Sequence, residues 1–159
     1  MATIDERWNE YADNDVLSHH SAMDARLARA PTETGPAISS RDFQVVLDQG
    51  LQQWVDAGDA SPAGQTWPEF VGAITGALDD LGAGLRPGET GLAFTSSGVI
   101  AALAASLIGA PERTFVPLNR VSVNASITKV IVGSRGKTLV SYNDHSHLEG
   151  TGDDLVTYR

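Results

Sequence analysis

The stretch of residues 89–111 constrains the fold more than any other part of the chain. A short apolar run, Leu92–Phe94, has the length and flanks of a buried β-strand. The small residues Thr95-Ser96-Ser97-Gly98 follow it and lead into an Ala/Leu/Ile-rich helix that stops at Gly109 and Pro111. Such a corner often binds an anion in α/β proteins, because the N–H groups that begin the helix have no partner within it. A buried unit with a serine N-cap and no ligand is the equally weighted alternative.

Composition narrows the classes of protein that this chain can belong to. Its 159 residues are most simply one domain, and 42% hydrophobic with 19% charged residues is typical of a globular protein. The 20 acidic and 11 basic residues give a formal charge of −9, which opposes binding to nucleic acid or to an anionic membrane. A small phosphorylated ligand in a local pocket remains compatible with that charge.

The residue types also bear on location and cofactors. The chain has no cysteine, which excludes disulfides, a thiol nucleophile and cysteine-type metal sites. The amino terminus lacks a basic segment followed by an apolar core, and the longest apolar stretch, Gly98–Ala110, is too short to span a bilayer. We therefore expect a cytoplasmic protein with no cofactor and no membrane contact.

Three helices are predicted before residue 89. Asn14 or Asp15 caps the first, which carries Met23 and Leu27 and ends before Pro31. A linker covers residues 31–38, and Ser39 with Asp42 resembles a capping box for the second helix. The apolar face of that helix comprises Phe43, Val46, Leu47, Leu51, Trp54 and Val55. The third helix begins at the capping box Thr66-Trp67-Pro68-Glu69.

Strands dominate the predictions after Pro111. Residues Thr114–Leu118 are expected to form a connection, Val121–Val132 a strand, Gly133–Gly136 a hairpin loop and Lys137–Tyr142 the return strand. The fold class is therefore α/β, with layered helices on a mixed sheet in a single domain over residues 1–150 and a tail over 151–159. Three strands make a small sheet, so we expect an open sheet edge that exposes apolar surface or forms a homo-oligomer.

Several motifs together resemble the histidine phosphatase superfamily, which includes phosphoglycerate mutase. They are Phe94-Thr-Ser-Ser-Gly-Val-Ile-Ala-Ala-Leu, then Leu118-Asn119-Arg120, Val123-Asn124-Ala125-Ser126-Ile127-Thr128, and the ending Tyr142-Asn143-Asp144-His145-Ser146-His147-Leu148. Upstream, Trp8-Asn9-Glu10-Tyr11 resembles the loop that carries the family's acidic proton donor. The resemblance covers residues 5–148 and is most specific over 92–148.

The resemblance implies a phosphoglycerate mutase-like fold that acts on or binds a small phosphomonoester. It assigns Glu10 as proton donor, with Ser96, Ser97 and Arg120 as substrate-binding residues. The family's Arg-His-Gly motif, whose histidine becomes phosphorylated, is absent from the sequence, and Ser96 stands where a second histidine is usual. The resemblance therefore implies that the N-terminal strands of the fold are missing from this chain and that the chain is inactive. The alternative is a non-catalytic relative that binds an anion or a protein.

Each candidate residue also has an alternative interpretation in which it has no functional role. Glu10 is alternatively an exposed loop acid, the two serines are N-capping residues, and Arg120 is a surface arginine. The pairs His19-His20 and His145-x-His147 suggest a metal site, but adjacent helical residues point about 100° apart and no cysteine is present. We favour histidines with structural hydrogen bonds and expect no metal. A Ser-His-Asp hydrolase is disfavoured because Phe94 stands where a nucleophile elbow needs glycine.

Overall fold

The computed structural model describes residues 2–20, 40–150 and 155–158. Within these ranges the helices are α1 (Asp13–His20), α2 (Ser40–Ala57), α3 (Trp67–Ala83), α4 (Ser97–Ile108) and α5 (Pro111–Arg120), and the strands are β1 (Ile127–Gly133) and β2 (Gly136–Asp144). Short 3-10 helices cover Glu6–Trp8, Gly58–Ala60 and Ser146–Leu148. The continuation of the first helix to Leu27, the linker at 31–38 and the Ser39 cap lie outside the described residues.

The chain groups into two compact units. One is Tyr11–Phe70, and the other combines residues 1–10 with residues 71–159. The single domain over residues 1–150, with a tail beyond it, stays a prediction. No helix in the described ranges has the length and apolar character needed to cross a membrane.

An aromatic cluster forms the core of the unit Tyr11–Phe70. Its members are Tyr11, Trp54, Trp67 and Phe70, each no more than 3% exposed. Ring centroids lie 5.4 Å apart for both the Tyr11–Trp54 and Trp54–Trp67 pairs. The Trp54 indole N–H donates to the Gln65 carbonyl at 2.8 Å, so the one polar group of this buried side chain is satisfied.

The predicted apolar face of α2 is correct over its later turns. Leu47, Leu51 and Val55 are buried beside the aromatic cluster's Trp54. Phe43 is 46% exposed, and its assignment to the buried face was wrong. It lies one turn before the first buried position of α2, which is why the core of this unit does not cover it.

The capping box that begins α3 is confirmed by its hydrogen bonds. The Thr66 N–H donates to Glu69 Oε2 at 2.9 Å, and the Glu69 N–H donates to Thr66 Oγ1 at 3.4 Å. The first of these bonds, with the Thr66 hydroxyl as a second donor, lowers the pKa of the Glu69 carboxyl below its usual value. Local spacing alone is enough to specify this helix start.

Helix α4 is the buried helix of the second unit, since Val99, Ala101, Ala102, Ala104 and Ala105 are each 0% exposed. Its predicted end is confirmed, with Gly109 at φ 83° in the left-handed conformation that glycine adopts without steric cost.

The predicted connection at Thr114–Leu118 was wrong, because α5 covers these residues. Pro111 stands in its first turn, where a proline removes no helical hydrogen bond. Phe115, Val116 and Asn119 are its buried positions, at helical spacing. Proline was interpreted as a stop signal here, although it also begins helices.

The described residues contain one sheet, in which β1 and β2 form an antiparallel hairpin. The hairpin turn at Ser134–Arg135 lies within the predicted loop, but β1 starts at Ile127 and not at Val121. The presence of both helices and strands is therefore confirmed, whereas the sheet described is antiparallel and not mixed. The phosphoglycerate mutase-like arrangement stays a prediction.

The predicted buried strand at Leu92–Phe94 was wrong. These residues belong to no helix or strand, and Leu92 and Phe94 are 77% and 93% exposed. An apolar run is buried only when another element packs against it, and none of the described elements covers this one. The run nevertheless leads directly into α4, as the sequence predicted.

Candidate functional site

The site forms where the loop that carries Glu10 meets the amino end of α4. The Gly98 N–H donates to Glu10 Oε2 at 3.0 Å, across 88 positions of sequence. The residues that the resemblance marks as a proton donor and as a phosphate corner are therefore in direct contact. A carboxylate at the first turn of a helix is also favoured by the helix dipole.

Two further contacts hold the Glu10 loop in place. The Thr95 hydroxyl donates to the Trp8 carbonyl at 2.5 Å, immediately before α4 begins. The Arg7 guanidinium lies 2.7 Å from an Asp5 carboxylate oxygen and 2.8 Å from one of Asp80 in α3. The hydrogen bonds from Arg7 lower the pKa of Asp5, and those to Asp5 and Asp80 raise the pKa of Arg7. The loop is thus tied to both α3 and the segment before α4.

The two serines occupy the start of α4. Ser96 is the N-cap residue, with an extended backbone, but its side chain makes no capping hydrogen bond. Ser97 is the first residue of the helix. The serine cap that composition suggested is therefore not formed by Ser96, and the carboxylate of Glu10 bonds the Gly98 N–H of the first turn instead.

Glu10, Ser96 and Ser97 line a cavity of about 870 Å³. Leu78, Leu103 and Val130 contribute to its apolar wall. Among the described residues that line it, Glu10 is the one carboxylate, and there is no lysine, arginine or histidine. The volume falls within the range of about 300–1,000 Å³ that is typical of ligand pockets.

The hydroxyl of Tyr142 is a further polar group in this cavity, and the sequence did not indicate it. The Tyr142 hydroxyl lies 2.8 Å from Ser122 Oγ and donates to the Leu118 carbonyl, also at 2.8 Å. Burial raises the pKa of Tyr142, with a smaller opposing effect from the hydrogen bond to Ser122. The sequence places Tyr142 at the end of the predicted return strand and in the C-terminal motif, and no local signal links it to Ser122, twenty positions earlier.

Arg120 is not brought to the cavity. It is the last residue of α5, its side chain is exposed, and it is absent from the cavity wall. Its predicted substrate-binding role therefore has no support from this geometry, whereas Glu10, Ser96 and Ser97 share one cavity.

Three of the histidines make hydrogen bonds, two of them to near neighbours in sequence and the third, from His20, across 41 positions. His19 Nδ1 is 2.8 Å from the Asp15 carbonyl, His20 Nε2 is 2.7 Å from Ser61 Oγ, and His145 Nδ1 is 2.7 Å from the Asn143 carbonyl. Burial, the larger effect, and the neighbouring His19 lower the pKa of His20. Across the described ranges, no three histidine or carboxylate side chains are placed to hold a metal ion.

The arrangement combines a carboxyl group, two hydroxyls and a helix start in one cavity. A carboxylic acid can give a proton to a leaving oxygen, and hydroxyl and N–H groups can bind phosphoryl oxygens. The negative charge of an ionised Glu10 opposes a phosphate dianion at the same place. The described wall also supplies no cationic group to offset that charge.

No protein-family model, curated protein or solved structure matches the chain.

Proposed function

We propose that this protein is a histidine phosphatase-like protein that binds a small phosphomonoester at the start of α4 and does not hydrolyse it as this chain. The observation that carries the proposal is the hydrogen bond between the Gly98 N–H and Glu10 Oε2. It joins the two motifs that the resemblance identifies independently, 88 positions apart in the sequence.

The chemistry assigned to each residue follows from its type. Ser96 and Ser97 offer hydroxyl hydrogen bonds to phosphoryl oxygens, whereas the Gly98 N–H in the first turn of α4 already donates to Glu10. A protonated Glu10 can donate to the ester oxygen, which is the role that the resemblance assigns to it. Transfer of the phosphoryl group also needs a nucleophile and compensating positive charge, and the described cavity wall contains neither a histidine nor a cationic side chain.

The proposal predicts an unusual effect of removing the carboxylate. Glu10→Gln keeps the size of the side chain but removes the charge that repels a phosphate dianion, so phenyl phosphate should bind about fivefold to tenfold more tightly, equivalent to about 1–1.4 kcal/mol. Titration calorimetry measures this change. Glu6→Gln is the matched control, because it removes the same charge from an exposed residue of the same loop.

Turnover is tested with p-nitrophenyl phosphate, for which we expect no measurable hydrolysis. Hydrolysis that Glu10→Gln abolishes would contradict the inactive assignment and identify Glu10 as a working proton donor. Failure of phenyl phosphate to bind either the wild type or Glu10→Gln would overturn the proposed ligand.

The second candidate is a non-catalytic relative that binds a protein. The exposure of Leu92 and Phe94, at 77% and 93%, favours it, since exposed apolar side chains next to a cavity are typical of protein contacts.

A further inference from the structure

Residues 91–95 present apolar side chains that the described chain does not cover. Leu92, Ala93 and Phe94 are consecutive exposed residues, so neither side of the segment is packed. Phe94 is 93% exposed, more than any other phenylalanine described as exposed, since Phe43 is 46% exposed. Single exposed apolar residues are common, but adjacent ones in a fixed segment need a physical explanation.

The backbone of the same segment is also unpaired. In the part of the chain that the structure describes, the main-chain groups of residues 91–94 make no hydrogen bond to other main-chain groups. An extended neighbour can satisfy such groups, whereas a helix cannot because its own backbone groups are already paired.

Both ends of the segment are held in place. A Cβ built on Gly91 would lie 3.0 Å from Leu81 Cδ1, so the glycine backbone lies close against α3. At the other end the Thr95 hydroxyl donates to the Trp8 carbonyl. The unpaired middle is therefore presented between two fixed points, which lowers the entropy cost of binding.

Cavities lie on both sides of this segment. The cavity of about 870 Å³ and a second of about 660 Å³ both include Leu92, Ala93 and Phe94 in their walls. The wall of the larger cavity also contains residues 122–128, which lead into β1. Among the described strands β1 pairs only with β2, so its other edge has no strand beside it.

The geometry points to residues 91–95 as the acceptor edge for a β-strand of a partner polypeptide. The partner segment is extended and has apolar side chains at alternate positions, which face the wall formed by Leu78, Leu103 and Val130. Because Glu10 is the one carboxylate among the described residues of the wall, the partner strand carries a lysine or arginine at the end nearest the start of α4. This inference does not depend on the binding of a phosphomonoester.

A second copy of the chain is the less favourable occupant. The side chains of Leu92 and Phe94 together present on the order of 300 Å², whereas a stable interface needs roughly 800 Å² per partner. Symmetric pairing of two such segments would also leave the larger cavity unfilled. A single inserted strand gains main-chain hydrogen bonds along its edge and fills that cavity at the same time.

The test uses the full chain and four fluorescein-labelled heptapeptides. Each has valine, isoleucine, leucine or phenylalanine at alternate positions, threonine between them and arginine at one end. We expect saturable binding of at least one peptide by fluorescence anisotropy. Methylating alternate backbone nitrogens of that peptide should weaken binding about tenfold, because it removes the hydrogen bonds of the strand edge.

Matched variants locate the binding site. Phe94→Ser should weaken peptide binding about tenfold, since an apolar contact of roughly 2 kcal/mol is lost. Ile108→Ser should leave it unchanged, because Ile108 is also exposed, at 54%, but lies at the far end of α4 and outside both cavity walls.

Three results would overturn the inference. These are no saturable binding of any of the four peptides, equal binding of the methylated peptide, or equal binding by Phe94→Ser. A wild-type dimer that Phe94→Ser dissociates, with no saturable binding of the peptides, would assign the edge to a second copy. Peptide binding without phenyl phosphate binding would overturn only the proposed function, and the reverse result only this inference.

Discussion

Large apolar side chains meet opposite environments in the core of the unit Tyr11–Phe70 and in residues 91–95 of the other unit. In the unit Tyr11–Phe70, Trp54 is 0% exposed and Phe70 is 2% exposed. In the other unit, Phe94 is 93% exposed and Leu92 is 77% exposed. The difference cannot come from residue type, because both regions contain large apolar side chains.

The difference depends on which elements of the fold pack against each region. The aromatic cluster draws its members from neighbouring elements, and the polar N–H of Trp54 finds an acceptor eleven positions away at Gln65. Leu92 and Phe94 lie in a segment that no described strand joins. A buried cluster holds its unit together, whereas the exposed segment is free to contact something else, which is why we place the proposed partner there.

The largest expected effect tests the buried side of this comparison. Trp54→Ala should lower the free energy of unfolding by about 3–5 kcal/mol, since it leaves a cavity among packed rings. Urea unfolding followed by circular dichroism measures the change. Phe94→Ala is the counterpart, and a loss of similar size there would show that the segment is packed and that the comparison is mistaken.

A second prediction concerns how much Asn143 stabilises the unit that contains Phe94. Asn143 has φ 57°, and its side chain accepts from the Val123 N–H and donates to the Val121 carbonyl, both at 2.8 Å. Asn143→Ala should lower the free energy of unfolding by about 2–3 kcal/mol. The substitution leaves both backbone groups without their hydrogen-bond partner and places alanine in the left-handed region.

Asn143→Gly separates the two contributions to that loss. Glycine loses the side-chain hydrogen bonds but accepts the positive φ, so it should destabilise less than alanine by about 1 kcal/mol. Equal losses in the two variants would remove the argument from backbone conformation. Thermal unfolding of both variants at one pH provides the measurement.

A third prediction concerns the helix that begins beside the aromatic cluster. Thr66→Ala should lower the free energy of unfolding by about 1 kcal/mol, because it removes the N-cap hydroxyl that accepts from the Glu69 N–H. Thr66→Ser is the control, since it retains the hydroxyl and should stay close to the wild type. A negligible loss in the alanine variant would show that tertiary packing alone begins α3.

The same capping box predicts a pH dependence. The folded-state pKa of Glu69 is lowered from its ordinary 4.5, so its stabilising effect is present above that value and is lost as pH falls through the folded pKa. The stability advantage of the wild type over Glu69→Gln should therefore shrink on acidification. If the stability of the wild type relative to Glu69→Gln increases as pH falls, the predicted direction is wrong.

The smallest expected effect lies on the exposed side. Phe94→Ser should change the free energy of unfolding by no more than about 0.5 kcal/mol, because the exposed side chain makes few contacts that the substitution would remove. The variant should bind less of a dye that reports exposed apolar surface, such as anilinonaphthalene sulfonate. A monomeric wild type that binds none of this dye would count against an open apolar edge.

The sequence was most informative where the deciding contacts are local. The Thr66–Glu69 capping box, the Gly109 helix end and the turn at Ser134–Arg135 were all predicted from residues within a few positions of one another. The wrong assignments at Leu92–Phe94 and Thr114–Leu118 have different causes. The first needed a neighbouring strand that the described chain does not provide, and the second depended on proline, which both ends and begins helices.

Of the candidate site, local sequence indicated the residue types but not their assembly. Glu10, Ser96 and Ser97 were named from motifs, yet only the fold brings Glu10 to the Gly98 N–H and leaves Arg120 outside the cavity wall. The pairing of Tyr142 with Ser122 likewise depends on how the hairpin lies against residues 118–122. Helix caps and turns depend on hydrogen bonds between near neighbours, so residue order suffices for them. Contacts across 88 positions, and the exposure of Phe94, depend on which elements pack together, and only the tertiary structure decides that.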